Sequence, residues 1–284
     1  MRNMKPYGLR EAFDVYKDAV ERKTSEAEKK ELQAIEKPMH DCYTNYDRHF
    51  ALNDLEYLPQ ARVGKDHKNA LLGLYGSKTK LIKDFRKRYF EINPQTYNNL
   101  CPYCCINSSN TTEHILPKED YPEFAVDVLN LIPGCSECNS AKGEDVLDKK
   151  GKKFVINYYT DILPNEQFLY VVIDTKGGTL NFEYTLSNPD NRINPELYAL
   201  IERHFANLHL LTRYKDKAIQ EFAEVKNFYL VEQFQNEKEY DSFASKQIRK
   251  CGLDALEYGI NHWKVVLLRA CAESDIFKQC ILPR

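Results

Sequence analysis

Long apolar runs are missing from this 284-residue sequence. No stretch approaches the roughly 18 consecutive apolar residues that a membrane-spanning helix needs, which argues against a membrane role. The opening MRNMKPYGLREAFDVYKDAV carries charges where a signal peptide would have its apolar core, so a secretory leader is not expected. A dominant charge sign is also lacking: 40 Lys and Arg stand against 42 Asp and Glu, a formal net charge of −2. That balance excludes a uniformly basic coat, and any nucleic-acid surface has to be local. Internal repeats and low-complexity tracts are absent, which sets aside solenoids and disordered tails. With 43% apolar and 29% charged residues, the chain has the composition of an ordinary globular protein, long enough for one large domain or two modest ones.

Nine cysteines are present in a chain too long for a small disulfide-stapled scaffold. The simpler reading is a reducing cytoplasm, with four cysteines on a metal and five as free thiols. Cys101 and Cys104 form one Cys-x-x-Cys pair, and Cys135 and Cys138 form a second. A single such pair could be a redox motif. Two copies in one short segment favour a closed zinc site, each pair acting as a two-toothed clamp. Cys105 points away from any metal its neighbour holds and reads as a bystander. A zinc ion held by four thiolates has no open position, so it builds the fold and the chemistry has to come from elsewhere.

Between and just after the clamps lie Glu113, His114, Asn130 and Asn139. If a metal ties the chain ahead of a hairpin to a helix beginning near Ser136, Asn139 falls in the first turn of that helix and comes close to Glu113. A carboxylate oxygen and an amide oxygen make a sparse, hard-ligand site with room for water and phosphate oxygens, as Mg²⁺ requires. His114, on the opposite side of an extended strand, is better placed to take a proton from water. Each residue alone has a plainer account: a capping histidine, a turn-forming Asn130, a helix-terminal Asn139. Their joint arrangement favours a site, together with His-x-x-Pro, Asn-Leu before the second clamp and Cys-Asn-x-x-Lys after it.

The stretch from Cys101 to Gly143 resembles the HNH endonucleases of the ββα-metal fold. It is most similar to the zinc-containing subgroup patterned Cys-x-x-Cys, Asp/Glu-His-Ile-x-Pro, Asn-Leu and Cys-x-x-Cys-Asn-x-x-Lys-Gly. The resemblance implies that Glu113 and Asn139 hold a catalytic Mg²⁺ or Mn²⁺ and that His114 is the general base. Asn130 would pin the loop between hairpin and helix, and Cys101, Cys104, Cys135 and Cys138 would hold a structural Zn²⁺. It further implies hydrolysis of DNA phosphodiester bonds to a 3′-hydroxyl and a 5′-phosphate. Glu in place of the commoner Asp at the first ligand position, and Asn in place of His at the last, leave the choice between Mg²⁺ and Mn²⁺ open. Lys142, one helical turn beyond Asn139, could reach a phosphate. The Tyr-Pro-Glu-Phe at 121–124 and the segment HFANLHLLTRY around His204 resemble bacterial HNH proteins of anti-phage defence loci, some of which work with an ATPase partner. His204 and His209 themselves read as structural. Two other functions stay open at this level: a zinc-stabilised module that binds nucleic acid or protein without cutting, and cleavage of RNA or tRNA.

The expected fold class is α+β and mainly α-helical, with a central ββα-metal motif flanked by helices and a C-terminal hairpin. Expected boundaries are 1–95 for an N-terminal helical region, 96–152 for the nuclease core and 153–284 for the remainder. Helical spacing begins with Phe13, Tyr16 and Val20, and Pro38 is expected to end that segment. Met39, Cys42, Tyr43, Tyr46 and Phe50 mark a second amphipathic helix, where His40 and His49 read as packed or capping. From Ala61 to Phe90, nine Lys and Arg face two Asp, a local charge of +7, while Leu71, Leu72, Leu74, Tyr75, Leu81, Ile82, Phe85 and Tyr89 supply the apolar faces of one helix, or of two broken near Gly76 and Ser77. This basic arm, including Lys78, Lys83, Arg86, Lys87 and Arg88, is where phosphate backbone is expected to lie. Strands are expected at 168–173 and 179–186 around a Gly177-Gly178 turn. Asn194-Pro195 reads as a helix start. Phe222, Val225, Phe228, Tyr229 and Val231 form a stripe on a later helix, and Gly252 is expected to end another. A final helix is expected from Leu253 to Ala272, with Leu256, Ile260, Trp263, Val266 and Leu267 facing the core.

Overall fold

A computed structural model describes residues 1–8, 10–76, 79–94 and 99–282; Ser77 and Lys78 lie outside the described residues. The chain divides into two units, one of residues 3–103 with 107–162, the other of residues 1–2, 104–106 and 163–284. Among the described residues the architecture is mainly helical, as expected, with two separate two-stranded sheets. No helix among the described residues is long and apolar enough to cross a membrane.

The first unit opens with α1 (Ala12–Glu21), α2 (Glu26–Ala34) and α3 (Glu36–Leu52). Ser25 caps α2 by accepting from the Glu28 amide. Pro38 does not end a helix; it lies in the first turn of α3, where a missing N–H costs nothing because those amides have no intrahelical partner. Tyr43 and Tyr46 of α3 are buried against the Phe124 ring, Tyr46 at 4.7 Å between centroids. His40 packs edge-on against Phe13, and His49 bonds Asp54 at 2.7 Å near the helix end, so both are packed or capping as read.

Short α4 (Arg62–Asp66) and α5 (Lys68–Leu72) lead to α6 (Lys80–Ile92), which Thr79 caps. Gly64 of α4 allows close approach of a loop: a Cβ there would sit 1.9 Å from Glu123 Oε2. Helix α6 buries Leu81, Ile82, Phe85 and Tyr89 and turns Lys83 and Lys87 to solvent. Strands β1 (Thr111–His114) and β2 (Leu131–Gly134) pair antiparallel, with Glu113 opposite Ile132 and His114 opposite Leu131. Helix α7 (Ser136–Lys142) follows β2 directly, which completes the expected strand, strand, helix order.

In the second unit, β3 (Leu169–Lys176) and β4 (Thr179–Leu186) pair along their whole length. Strand β3 runs three residues past its expected end because Gly177 and Gly178, both at positive φ, make the turn alone. Helix α8 (Pro195–Asn207) starts as read, the Asn194 side chain accepting from the Glu196 and Leu197 amides. It is followed by α9 (Leu210–Leu230), α10 (Glu237–Tyr258), α11 (Trp263–Glu273) and α12 (Asp275–Ile281).

Two expectations fail here. Gly252 does not end α10; the helix passes through it and stops at Gly259, whose φ of 90° is the conformation that excludes side chains. The expected Leu253–Ala272 helix is therefore two pieces, and the break resets the phase of the apolar stripe. Leu256, expected in the core, is 69% exposed, and Phe228 and Val231 of the α9 stripe are exposed as well. In the break, Asn261 accepts from the Phe168 and Leu169 amides and donates to Glu166 O, so the non-helical turn serves to fasten the start of β3.

Candidate active site

Four cysteine sulfurs, of Cys101, Cys104, Cys135 and Cys138, lie within 4.8 Å of one another, and all four residues are buried. Tetrahedral thiolates on zinc stand about 3.8 Å apart, from a metal–sulfur distance near 2.3 Å, so this donor set fits a closed structural metal site. Cys135 is also the N-cap of α7, its sulfur accepting from the Cys138 amide, so the clamp and the helix start are the same residue. Further ties hold that start to the chain entering β1. Asn110 Oδ1 accepts from the Ser136 amide at 2.8 Å, and the Ser109 and Thr111 hydroxyls both donate to Gly134 O. Cys105, expected to stand by, is buried at φ 53° and its carbonyl accepts from Trp263 Nε1 at 3.0 Å.

Asn139 stands one turn along α7, its amide bonded to Cys135 O at 3.0 Å. Its carboxamide lies against the Glu113 carboxylate. With its NH₂ towards the carboxylate, the orientation that satisfies both groups, it donates to Glu113 Oε2 at 2.5 Å and Oε1 at 2.9 Å. Turned over, the carboxamide would instead present Oδ1 beside the carboxylate, so the same pair can offer two oxygens to a cation. Neighbouring oxygens on a small octahedral ion are about 3 Å apart, from a metal–oxygen distance near 2.1 Å, so the spacing fits such an ion. Burial pushes the Glu113 pKa up, with the Lys142 ammonium opposing the shift. Lys142 is itself buried and donates to His114 O at 2.9 Å, so its ammonium lies in the wall of the site.

The His114 ring is fixed by its far nitrogen. Nε2 lies 2.9 Å from Ala125 O, which can only accept, so Nε2 carries the proton and Nδ1 keeps the lone pair. Nδ1 has no hydrogen-bond partner among the described residues. Burial lowers the ring pKa to about 4, so the imidazole is neutral near pH 7. Ala125 follows a short 3₁₀ turn, Pro122–Phe124, in the loop joining β1 to β2. Asn130, wholly buried, fastens that loop with a full set of bonds. Its Oδ1 accepts from the Leu116 amide at 2.7 Å and from Tyr46 OH at 3.3 Å, while its Nδ2 donates to Leu116 O and Phe124 O.

Glu113, His114, Asn139 and Lys142 line one cleft of about 440 Å³, with Tyr75 and Lys118 also in its wall. Asn130 is behind it. The basic arm divides in two. Lys83 and Lys87 are exposed on α6, whereas the Arg86 guanidinium donates to Ser109 O and Thr111 O and braces the entry to β1. Arg88 is half-buried, 3.9 Å from Glu91. His204 is buried in α8 and His209 precedes α9 at φ 52°, neither in this cleft. Sequence reasoning took Tyr46 and Tyr75 as parts of apolar helix faces, and helical spacing carries no sign of a partner far along the chain. Lys118 directly follows the His-x-x-Pro segment, and that position is the signal that would have found it.

The family model for HNH endonuclease matches residues 101–145, so the resemblance read in the sequence holds over that segment. The chain is 25% identical to protein ea31 of Escherichia phage lambda over 227 residues, 76% of this chain and 75% of that protein. It is 34% identical to Septu protein PtuB of Bacillus thuringiensis over 109 residues, 35% of this chain and 41% of that protein. No solved structure matches.

Proposed function

We propose that this protein is a metal-dependent HNH endonuclease that hydrolyses DNA phosphodiester bonds. His114 is the general base, Glu113 and Asn139 are the ligands of a Mg²⁺ or Mn²⁺ ion, and the four clamp cysteines hold Zn²⁺. The observation that carries the reading is the Asn139 carboxamide set directly against the Glu113 carboxylate, in one cleft with a neutral histidine whose Nδ1 has no partner among the described residues.

His114 Nδ1 accepts a proton from water as that water attacks phosphorus. The bond from Nε2 to Ala125 O keeps the required tautomer and stabilises the imidazolium that forms. An anionic phosphate in the cleft raises the ring's basicity towards working pH, offsetting the depression that burial causes. A divalent ion, when bound, supplies positive charge at the phosphate and at the leaving 3′ oxygen. As the new P–O bond forms, the bond from phosphorus to the 3′ oxygen breaks and that oxygen takes a proton from solvent water, so the products are a 3′-hydroxyl and a 5′-phosphate. Lys83, Lys87, Arg88 and the cleft residue Lys118 take flanking phosphates, while Arg86 and Lys142 act by bracing β1 and the His114 backbone.

A cytoplasmic role in anti-phage defence, alongside an ATPase partner, is the setting we propose from the likeness to the Septu protein. The longer match, to a phage protein, says that such chains are also carried by phage.

The test is a cleavage assay on purified protein with plasmid DNA and RNA side by side. Plasmid should be cut with Mg²⁺ or Mn²⁺, spared with chelator, and spared by His114→Ala protein that keeps its zinc and melting temperature. Cutting of RNA alone would overturn the choice of substrate, and cutting of neither would leave a zinc-stabilised binding module.

A further inference from the structure

We infer that Tyr75, outside residues 101–145, is a positioning residue that fixes the orientation of the His114 ring. The inference rests on the nuclease reading for its catalytic consequence but not for its geometry. One hydrogen bond, from Nε2 to Ala125 O, holds an atom close to the Cβ–Cγ axis of the side chain, so by itself it only weakly opposes a pivot of the ring about that axis. The Tyr75 ring meets the imidazole at 4.6 Å between centroids and 63° between planes, an edge-to-face contact that opposes the pivot.

Tyr75 is itself held at both ends. Its hydroxyl donates to Thr112 O at 3.0 Å, on the same strand as His114, so tyrosine and histidine share one frame. Its amide bonds back to Leu72 O, and Leu71 and Leu74 beside it are buried. The segment after α5 therefore completes the histidine's support from a part of the chain that the HNH match does not reach. Because Tyr75 also lines the cleft, a substrate contact is the competing account, and the two separate kinetically.

The experiment uses the full chain with its zinc and compares Tyr75→Leu with Tyr75→Phe. Removing the ring should lower kcat on the order of 10- to 100-fold, as misplacement of a reacting group does, with KM within about twofold. Tyr75→Phe keeps the ring contact and should restore kcat to within about threefold of wild type. In protein labelled with ¹⁵N-histidine, His114 should give one narrow pair of ring signals with Nε2 protonated, and Tyr75→Leu should broaden or double them. A rise in KM with unchanged ring signals would overturn the inference in favour of substrate contact. A loss of kcat that only follows the fraction of unfolded protein would overturn it as well. If wild type cuts no substrate, the ring signals alone decide: altered signals in Tyr75→Leu support the positioning role, and unaltered ones end it.

Discussion

Asn130→Asp keeps the shape of a side chain whose hydrogen-bonding capacity is fully used, and so isolates the worth of its NH₂. In wild type that group serves Leu116 O and Phe124 O, while Oδ1 serves the Leu116 amide and Tyr46 OH, all in a wholly buried place. The substitution leaves two buried carbonyls without a donor and sets a third oxygen against them. At about 1–3 kcal/mol for each buried group left unpaired, the loss is about 2–6 kcal/mol. In a unit of this size each kcal/mol moves the melting temperature by about 2–4 °C, so the variant should melt roughly 5–20 °C below wild type at pH 7. The variant has a signature of its own. Near pH 4.5 the buried carboxyl keeps its proton and can again donate one bond, so its deficit against wild type should shrink. Thermal melts of both proteins at the two pH values make the test. A melting temperature within 2 °C of wild type at pH 7, or a deficit independent of pH, would refute the idea that this amide holds the loop carrying Ala125.

Two more outcomes follow from buried groups. Burial raises the Asp127 pKa to about 8, far above its unfolded value near 3.9. Between those limits the unfolded chain has released a proton that the folded chain retains, so stability is full below about pH 4 and falls by up to about 1.4 kcal/mol per pH unit towards pH 8. Asp127→Asn keeps an acceptor for the Leu129 amide and should flatten that decline; melts at pH 5 and pH 8 that differ as much as in wild type would count against it. Cys135→Ser retains an N-cap acceptor for α7 but removes one thiolate, so its effect isolates the metal. We expect zinc content to fall from one ion per chain and the unit to melt well below wild type, since binding energy at such sites is folding energy. Unchanged zinc content by mass spectrometry would eliminate the clamp.

Legibility in the sequence followed the range of the interactions. The clamps, Glu113, His114, Asn130 and Asn139 stand within one short segment where spacing alone suggests their meeting, and the structure brings Glu113 and Asn139 together. The bond from Tyr46 to Asn130 and the ring of Tyr75 on His114 join distant segments, and a tyrosine at helical spacing reads as core whether or not its hydroxyl has a task. Glycines posed a different difficulty. Gly252 and Gly259 look alike in the sequence, but only Gly259 takes a positive φ, and that choice is made by tertiary packing. Pro38 failed as a stop signal because its meaning depends on where the helix begins.

Strand β1 is only four residues long, and its neighbouring residues Glu113 and His114 leave it on opposite sides, one towards α7 and one towards Ala125. A single residue inserted between Cys104 and Glu113, if absorbed by sliding the strand one step, would exchange those sides and carry the carboxylate to the tyrosine and the imidazole to the helix. Natural length variation in such chains should therefore fall outside this interval or arrive there in pairs.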